Sequence, residues 1–261
     1  MAINRAQLAK ELEPGLNALF GLEYARYENE AAQIFEQESS DRAFEEEVML
    51  VGFGQANVKA EGSAVGFDTA SESFTARYTH DTIALAFALT EEAVEDNLYD
   101  SLSARYTKAL ARSMAYTKQV RGANVLNNAF TVTGGDGVTL ANTAHPTALG
   151  GTFSNRSATD ADLNETSLEQ AMIDIAGFID ERGLKIAMKA QKMIIPVNLQ
   201  FVADRILEST LRVGTADNDI NALKNMGMLP GGYTVNHYLT DTDAYFIKTD
   251  CPNGFKHFTR A

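Results

Sequence analysis

Apolar positions along this chain recur at helical spacing near its start, alternate through the second fifth, and return to helical spacing around residue 110 before becoming mixed. Leu8 and Leu12, four apart behind the capping residue Asn4, predict a helix over 5–13. Pro14-Gly15 is expected to interrupt it, with a second helical stretch over 16–35 marked by Leu19, Leu22, Tyr27, Ala31 and Phe35. Residues 36–47 are polar and acidic and read as a surface segment. From 48 to 90, glycines at 52, 54, 62 and 66 read as two extended arms around a flexible turn. On the return arm Phe74, Ala76 and Tyr78 share one face at period two, whereas Ile83, Leu85, Phe87 and Leu89 take the opposite parity. A single half-buried strand keeps one parity, so a bulge or a change of packing environment is expected near 80–82.

The strongest local signal lies over 90–128. Val94, Leu98, Leu102, Tyr106, Leu110 and Met114 recur every four residues, which predicts one long helix with this stripe buried. Acidic residues crowd its start and basic ones its later half, complementing the helix dipole. The four-residue step drifts off a heptad seam, against a coiled coil. Beyond it, Gly134, Gly135 and Gly137 read as a tight hairpin turn and 141–165 as a long polar loop. Thr166 and Glu169 suggest a capping box for a helix ending at Arg182, with Leu168, Met172, Ile175 and Ile179 on its apolar face and Gly183 as the stop. Residues 192–197 read as a short buried strand, and Asn198 as the cap of a helix to Ser209. A long loop over 212–232 holds a short helix at 220–226. GGYTVNHYLT, AYFIKTD and FKHFTR read as strands. The second half is thus an α+β module.

Charge and composition narrow the function. The chain has 261 residues, 45% of them hydrophobic, and a net charge of -13. A packed core is expected, while a protein that grips nucleic acid through its whole surface is not. Residues 1–50 carry four basic and eleven acidic groups, so more than half of the excess lies in the first fifth of the chain. The longest apolar run, 83–89, is far short of the ~18 residues that span a bilayer. The opening MAINRAQLAKELEP has no apolar signal core, and a single cysteine, Cys251, suits a reducing compartment.

Catalytic chemistry is weakly signalled. The 134–137 glycines precede a strand-like VTLAN rather than a helix, so they do not read as a phosphate cradle. Asp217, Asp219 and Asn221 alternate as in a calcium loop, but Ala222 and Met228 stand where glycine and glutamate are needed. His80, His145, His237 and His257 lack zinc spacing. His145, before Pro146, reads as a turn residue, His237 as a satisfied sheet histidine, and Cys251 as a bland thiol. No catalytic residue, cofactor or metal ligand is assigned. A projecting arm and hairpin need a partner to cover them, and a homo-oligomer with exchanged extensions is the economical answer.

The order of arm, glycine-rich hairpin, long helix and α+β module resembles the major capsid protein of tailed phages, the Hong Kong 97 fold. LANTAHPTALGGTFSN, FIDERG and GTADNDINALKNMGMLPGGYTVNHYLTDTDAYFIKTDCPNGFKHF are similar to stretches of Mu-like prophage major head subunits, and ELEPGLNALFGLEYARY fits the same family. The resemblance implies an N-arm over 1–46, an E-loop hairpin over 47–81, a peripheral domain with its spine helix over 82–130, an axial domain over 131–243 and return strands over 244–261. It implies a non-enzymatic subunit that assembles into hexamers and pentamers of an icosahedral head, encloses double-stranded DNA without reading it, and needs a separate scaffolding protein and a portal but no membrane. The virion is its expected location, after assembly in the host cytoplasm. Family strands normally follow the point where this sequence stops, so the chain is expected to run on beyond Ala261. Phe53, Phe67 and Phe74 are the expected subunit-interface residues, together with Lys59, the hairpin's one lysine and the group a cross-link to a neighbour's asparagine would use. An encapsulin-like compartment enclosing cargo enzymes is the alternative, and a hydrolase using His145 in the 141–165 loop a distant third.

Overall fold

The computed structural model describes residues 5–88, 99–212 and 219–260. They separate into two compact units, one drawn from 1–31 and 81–123, the other from 32–80 and 124–261.

The first unit contains helix α1 (Arg5–Arg26) and most of helix α3 (Tyr99–Asn127). Contrary to expectation, α1 runs straight through Pro14-Gly15. The proline costs the helix one backbone hydrogen bond, and the helix continues across the pair. The capping role assigned to Asn4 lies outside the described residues, as do Val94 and Leu98. The long helix is present, but its buried face is not the expected one. Ser103, Thr107, Ala111, Ala115, Gln119 and Ala123 are buried, one residue along from the large apolar stripe, and Tyr106 is 49% exposed. The buried face thus carries small and polar side chains rather than the large apolar ones beside it. Gln119 closes the unit. It accepts from the Ala31 N–H at 3.0 Å and donates to Asn29 Oδ1 at 3.0 Å. Arg121 pairs with Asp81 at 2.7 Å.

In the second unit the rest of a short helix α2 (Ala31–Ile34), after its first residue, leads into β1 (Glu36–Ser40) and β2 (Phe44–Val51). The expected acidic surface segment is therefore mostly strand. The strand β1 pairs in parallel with the C-terminal β9 (Lys256–Arg260), more than 200 residues away. Phe35 and Phe255 meet edge to face at 5.7 Å beside this pairing. The two arms form as expected, with β2 antiparallel to β3 (Ser71–Thr79) and a register irregularity between Val48 and Leu50. The parity change at 80–82 coincides with the end of β3.

The core is built around β6 (Ala190–Pro196), central in a three-stranded sheet between β7 (Tyr233–Asn236), parallel to it, and β8 (Phe246–Thr249), antiparallel. The run Met193, Ile194 and Ile195 is buried on both faces, which is why it reads as continuous rather than alternating. Met193 and Ile195 pack with Leu168, Met172 and Ile175 of α4 (Glu165–Ala176), Ala203 and Ile206 of α5 (Gln200–Glu208), and Leu223 of α6 (Ala222–Met226).

Several boundaries move. The box at the start of α4 uses Asn164 and Ser167, each side chain bonding the other's backbone N–H, instead of Thr166 and Glu169. This helix stops at Gly177, and Gly183 (φ +82°) belongs to a separate turn. Residues 197–199 form a 3-10 turn that feeds α5 with no side-chain cap, so Asn198 does not serve as one. The hairpin at 133–139 closes through Gly137, at φ +84°. Within 141–165 two short strands pair, β4 (His145–Pro146) with β5 (Thr152–Phe153).

Candidate interaction surface

The β2–β3 hairpin and the connection over 52–70 hold the most conspicuous unsatisfied surface in the second unit. Phe53 is 63% exposed, Phe67 99%, Val58 101% and Val65 67%. Lys59 is exposed among them. Four apolar side chains in water on one connection are costly, at ~1.5–3 kcal/mol each relative to burial. Phe74 differs. It is half-buried, and its ring lies against Gly135 of the 134–137 turn.

The connection is not loose at its root. The last ladder pair is Val51 with Ser71, and there the arms part. Arg182 enters the gap, donating from Nε to Gly52 O at 3.0 Å and from Nη2 to Thr69 O. Asp68 accepts from the Gly54 N–H at 2.7 Å and the Thr69 N–H at 2.8 Å, with Arg182 at 3.8 Å. The Gly54 and Thr69 N–H groups, helped by the Arg182 charge, hold the Asp68 carboxyl below the usual range. At the tip, Gly62 (φ +77°) makes a turn in which Ser63 N donates to Ala60 O. The strand end of the hairpin is tied too. Lys256 lies 2.5 Å from Glu47 and 3.9 Å from Glu38, and the Tyr78 and Phe258 rings are 6.2 Å apart. Burial, then Glu47, pushes the Tyr78 phenol up.

The other sequence candidates separate. His145 is a buried strand residue rather than a turn residue. Its Nδ1 lies 2.6 Å from Asp136 and its ring stacks on Phe153 at 5.0 Å. The Nε2 is buried without a partner, so this pair has no free nitrogen facing solvent to exchange a proton with a substrate. His237 is exposed in a turn after β7 ends, not within a sheet. Cys251 is exposed, its thiol pushed up by burial of the sulfur and by Asp250. Among the described residues no three His, Cys, Asp or Glu side chains lie together as a metal would need, and no helix is long and apolar enough to cross a membrane. In the first unit an open cavity of about 430 Å³ is lined by Glu23, Tyr27, Lys108, Arg112, Ser113 and Tyr116. The Arg182 clamp was invisible in sequence, because its partners are 113 and 130 residues away.

Residues 73–258 match a family model described as phage capsid protein. No curated protein matches the sequence. Among solved structures, the chain is similar to the capsid of bacteriophage JBD30, with 10% identity and a TM-score of 0.59 over 80% of this chain and 90% of that one. It is similar to the JBD30 procapsid with 14% identity and a TM-score of 0.62, covering 91% of this chain and 100% of that one. The JBD30 capsid decorated with minor capsid protein trimers gives a TM-score of 0.58 at 11% identity, over 80% of this chain and 90% of that one. At such identities the likeness is one of fold.

Proposed function

Because the chain belongs to the phage capsid protein family, in which it serves as a shell subunit, we propose a Hong Kong 97-type major head protein, close to those of Mu-like prophages. Its copies form the hexamers and pentamers of an icosahedral shell around double-stranded DNA. Its work is assembly, not turnover, with no cofactor. The matches do not favour an encapsulin-like compartment.

The observation that carries this reading is the β2–β3 hairpin, which is anchored at its root and exposes Phe53, Val58, Val65 and Phe67 beyond it. An apolar projection anchored at its root is what a neighbouring subunit can cover, and each buried phenylalanine contributes at every one of many repeated contacts. Residues 47–81 correspond to the E-loop, 1–46 to the N-arm, 82–130 to the peripheral domain with its spine helix, 131–243 to the axial domain and 244–261 to return strands. Phe53, Phe67, Phe74 and Lys59 are the interface residues this reading proposes. Assembly proceeds in the host cytoplasm with a separate scaffolding protein and a portal, and the product is the virion head. The acidity of the first fifty residues suits an inner wall along which packaged DNA slides without sticking.

The test is the particle yield of Phe67→Ser. Loss of shells with retained soluble subunit is expected; unchanged yield contradicts the interface role.

A further inference from the structure

The turn over 180–184 is built to present one side chain. Asp180 Oδ1 accepts from the backbone N–H of Arg182 at 2.9 Å and of Leu184 at 2.7 Å, and Gly183 (φ +82°) closes the turn. Next to it, buried Glu181 accepts from the Ala148 N–H at 2.8 Å, tying the turn to the neighbouring loop. The Arg182 side chain is only 14% exposed although it carries a full charge. Two of its partners are main-chain carbonyls, one on each arm of the hairpin, at the point where the ladder ends. Its carboxylate partner, Asp68, in turn holds the Gly54 N–H from the opposite arm.

We propose that Arg182 is the positioning residue of the hairpin: its guanidinium bridges Gly52 and Thr69 and fixes the direction in which residues 53–67 project toward a neighbouring subunit. The proposal rests on the shell reading for its consequence, but not for its geometry. An isolated two-stranded hairpin is marginal in water, and its arms splay where the ladder stops. A planar fork with several fixed donors spans two carbonyls and a carboxylate together, which a lysine ammonium on a flexible stem does not. With the fork removed, the apolar connection still exists but samples many directions, so each intersubunit contact has to be ordered as it forms.

The experiment compares wild type, Arg182→Ala, Arg182→Lys and Asp68→Asn as full chains. Hydrogen exchange of the Gly54 amide is read in the unassembled subunit, with Met193 and Ile194 in β6 as internal controls, and shell yield is read at fixed concentration. Both Arg182 variants are expected to speed Gly54 exchange about tenfold, leave the β6 amides unchanged, and lower shell yield. Arg182→Lys decides the matter if Arg182→Ala fails to fold, and Asp68→Asn, which alters the acceptor of the Gly54 amide itself, sets the scale for loss of that hydrogen bond. Unchanged Gly54 exchange overturns the proposal, and so does faster exchange with undiminished yield. Failure of wild type itself to form shells would sink the shell reading instead, while the exchange contrast still decides whether the clamp exists.

Discussion

A Cβ placed on Gly135 would stand 3.1 Å from Cδ2 of Phe74, so the ring on β3 occupies the space that the glycine's missing side chain leaves open. The hairpin therefore rests on the 134–137 turn through Phe74, whereas Phe67 is fully exposed and Phe53 mostly so among the described residues. Three phenylalanines that look alike in sequence should behave differently. Phe74→Ser is expected to lower stability by about 1–3 kcal/mol, less than the loss at a fully buried phenylalanine. Phe67→Ser is expected to stay within about 0.5 kcal/mol of wild type. Urea denaturation of the unassembled subunit distinguishes them, and equal losses would contradict the difference in packing.

Gly231→Ala should destabilise the sheet. Its new Cβ would lie 2.8 Å from Gln191 O, and a main-chain oxygen on the β6 strand cannot rotate away. About 1–3 kcal/mol is expected, as for other overpacked sites, read as a lower urea midpoint. An unchanged midpoint would show that β6 and β7 separate easily.

Asp136→Ala should cost about 1–3 kcal/mol, because it leaves the Nδ1 of His145 buried without its partner when Nε2 already has none. The measurement is again equilibrium unfolding. Wild-type stability in this variant would mean that water reaches the histidine.

The hairpin should respond to pH only at the extremes. The carboxyl of Asp68 is depressed in the fold, first by the Gly54 N–H. Its contribution is thus fully present above the ordinary aspartate value of ~3.9 and lost as pH falls through the lower folded value. Protection of the Gly54 amide, corrected for intrinsic exchange, should be flat down to about pH 5 and fall only below ~3.9. At the strand end, Glu47 raises Lys256 through a hydrogen bond. That contribution is complete below ~10.4 and disappears as pH rises through the raised value. Loss of Gly54 protection near pH 6 would contradict the assignment.

What the sequence showed and what it hid divide along the distance between partners. The buried strand β6, the arms of the hairpin, the long helix and the three C-terminal strands were legible because each rests on a local run or alternation. The strand β1 was not. Its EQESS sequence is polar and mostly exposed, and it is a strand only because β9 lies beside it, Glu36 opposite Lys256. Helix α3 was legible as a helix but not in its buried face, because the small and polar residues that are buried there carry no hydropathy signal. The aromatic interface candidates could be named from composition, whereas Arg182, which ties down the root of their loop, depends on contacts no local pattern encodes.

The central claim is assembly, and negative-stain electron microscopy of the purified chain tests it most directly. Closed shells, tubes or capsomer rings are the expected result for wild type, with their loss in Phe67→Ser. A field of featureless monomers at every concentration would contradict the account.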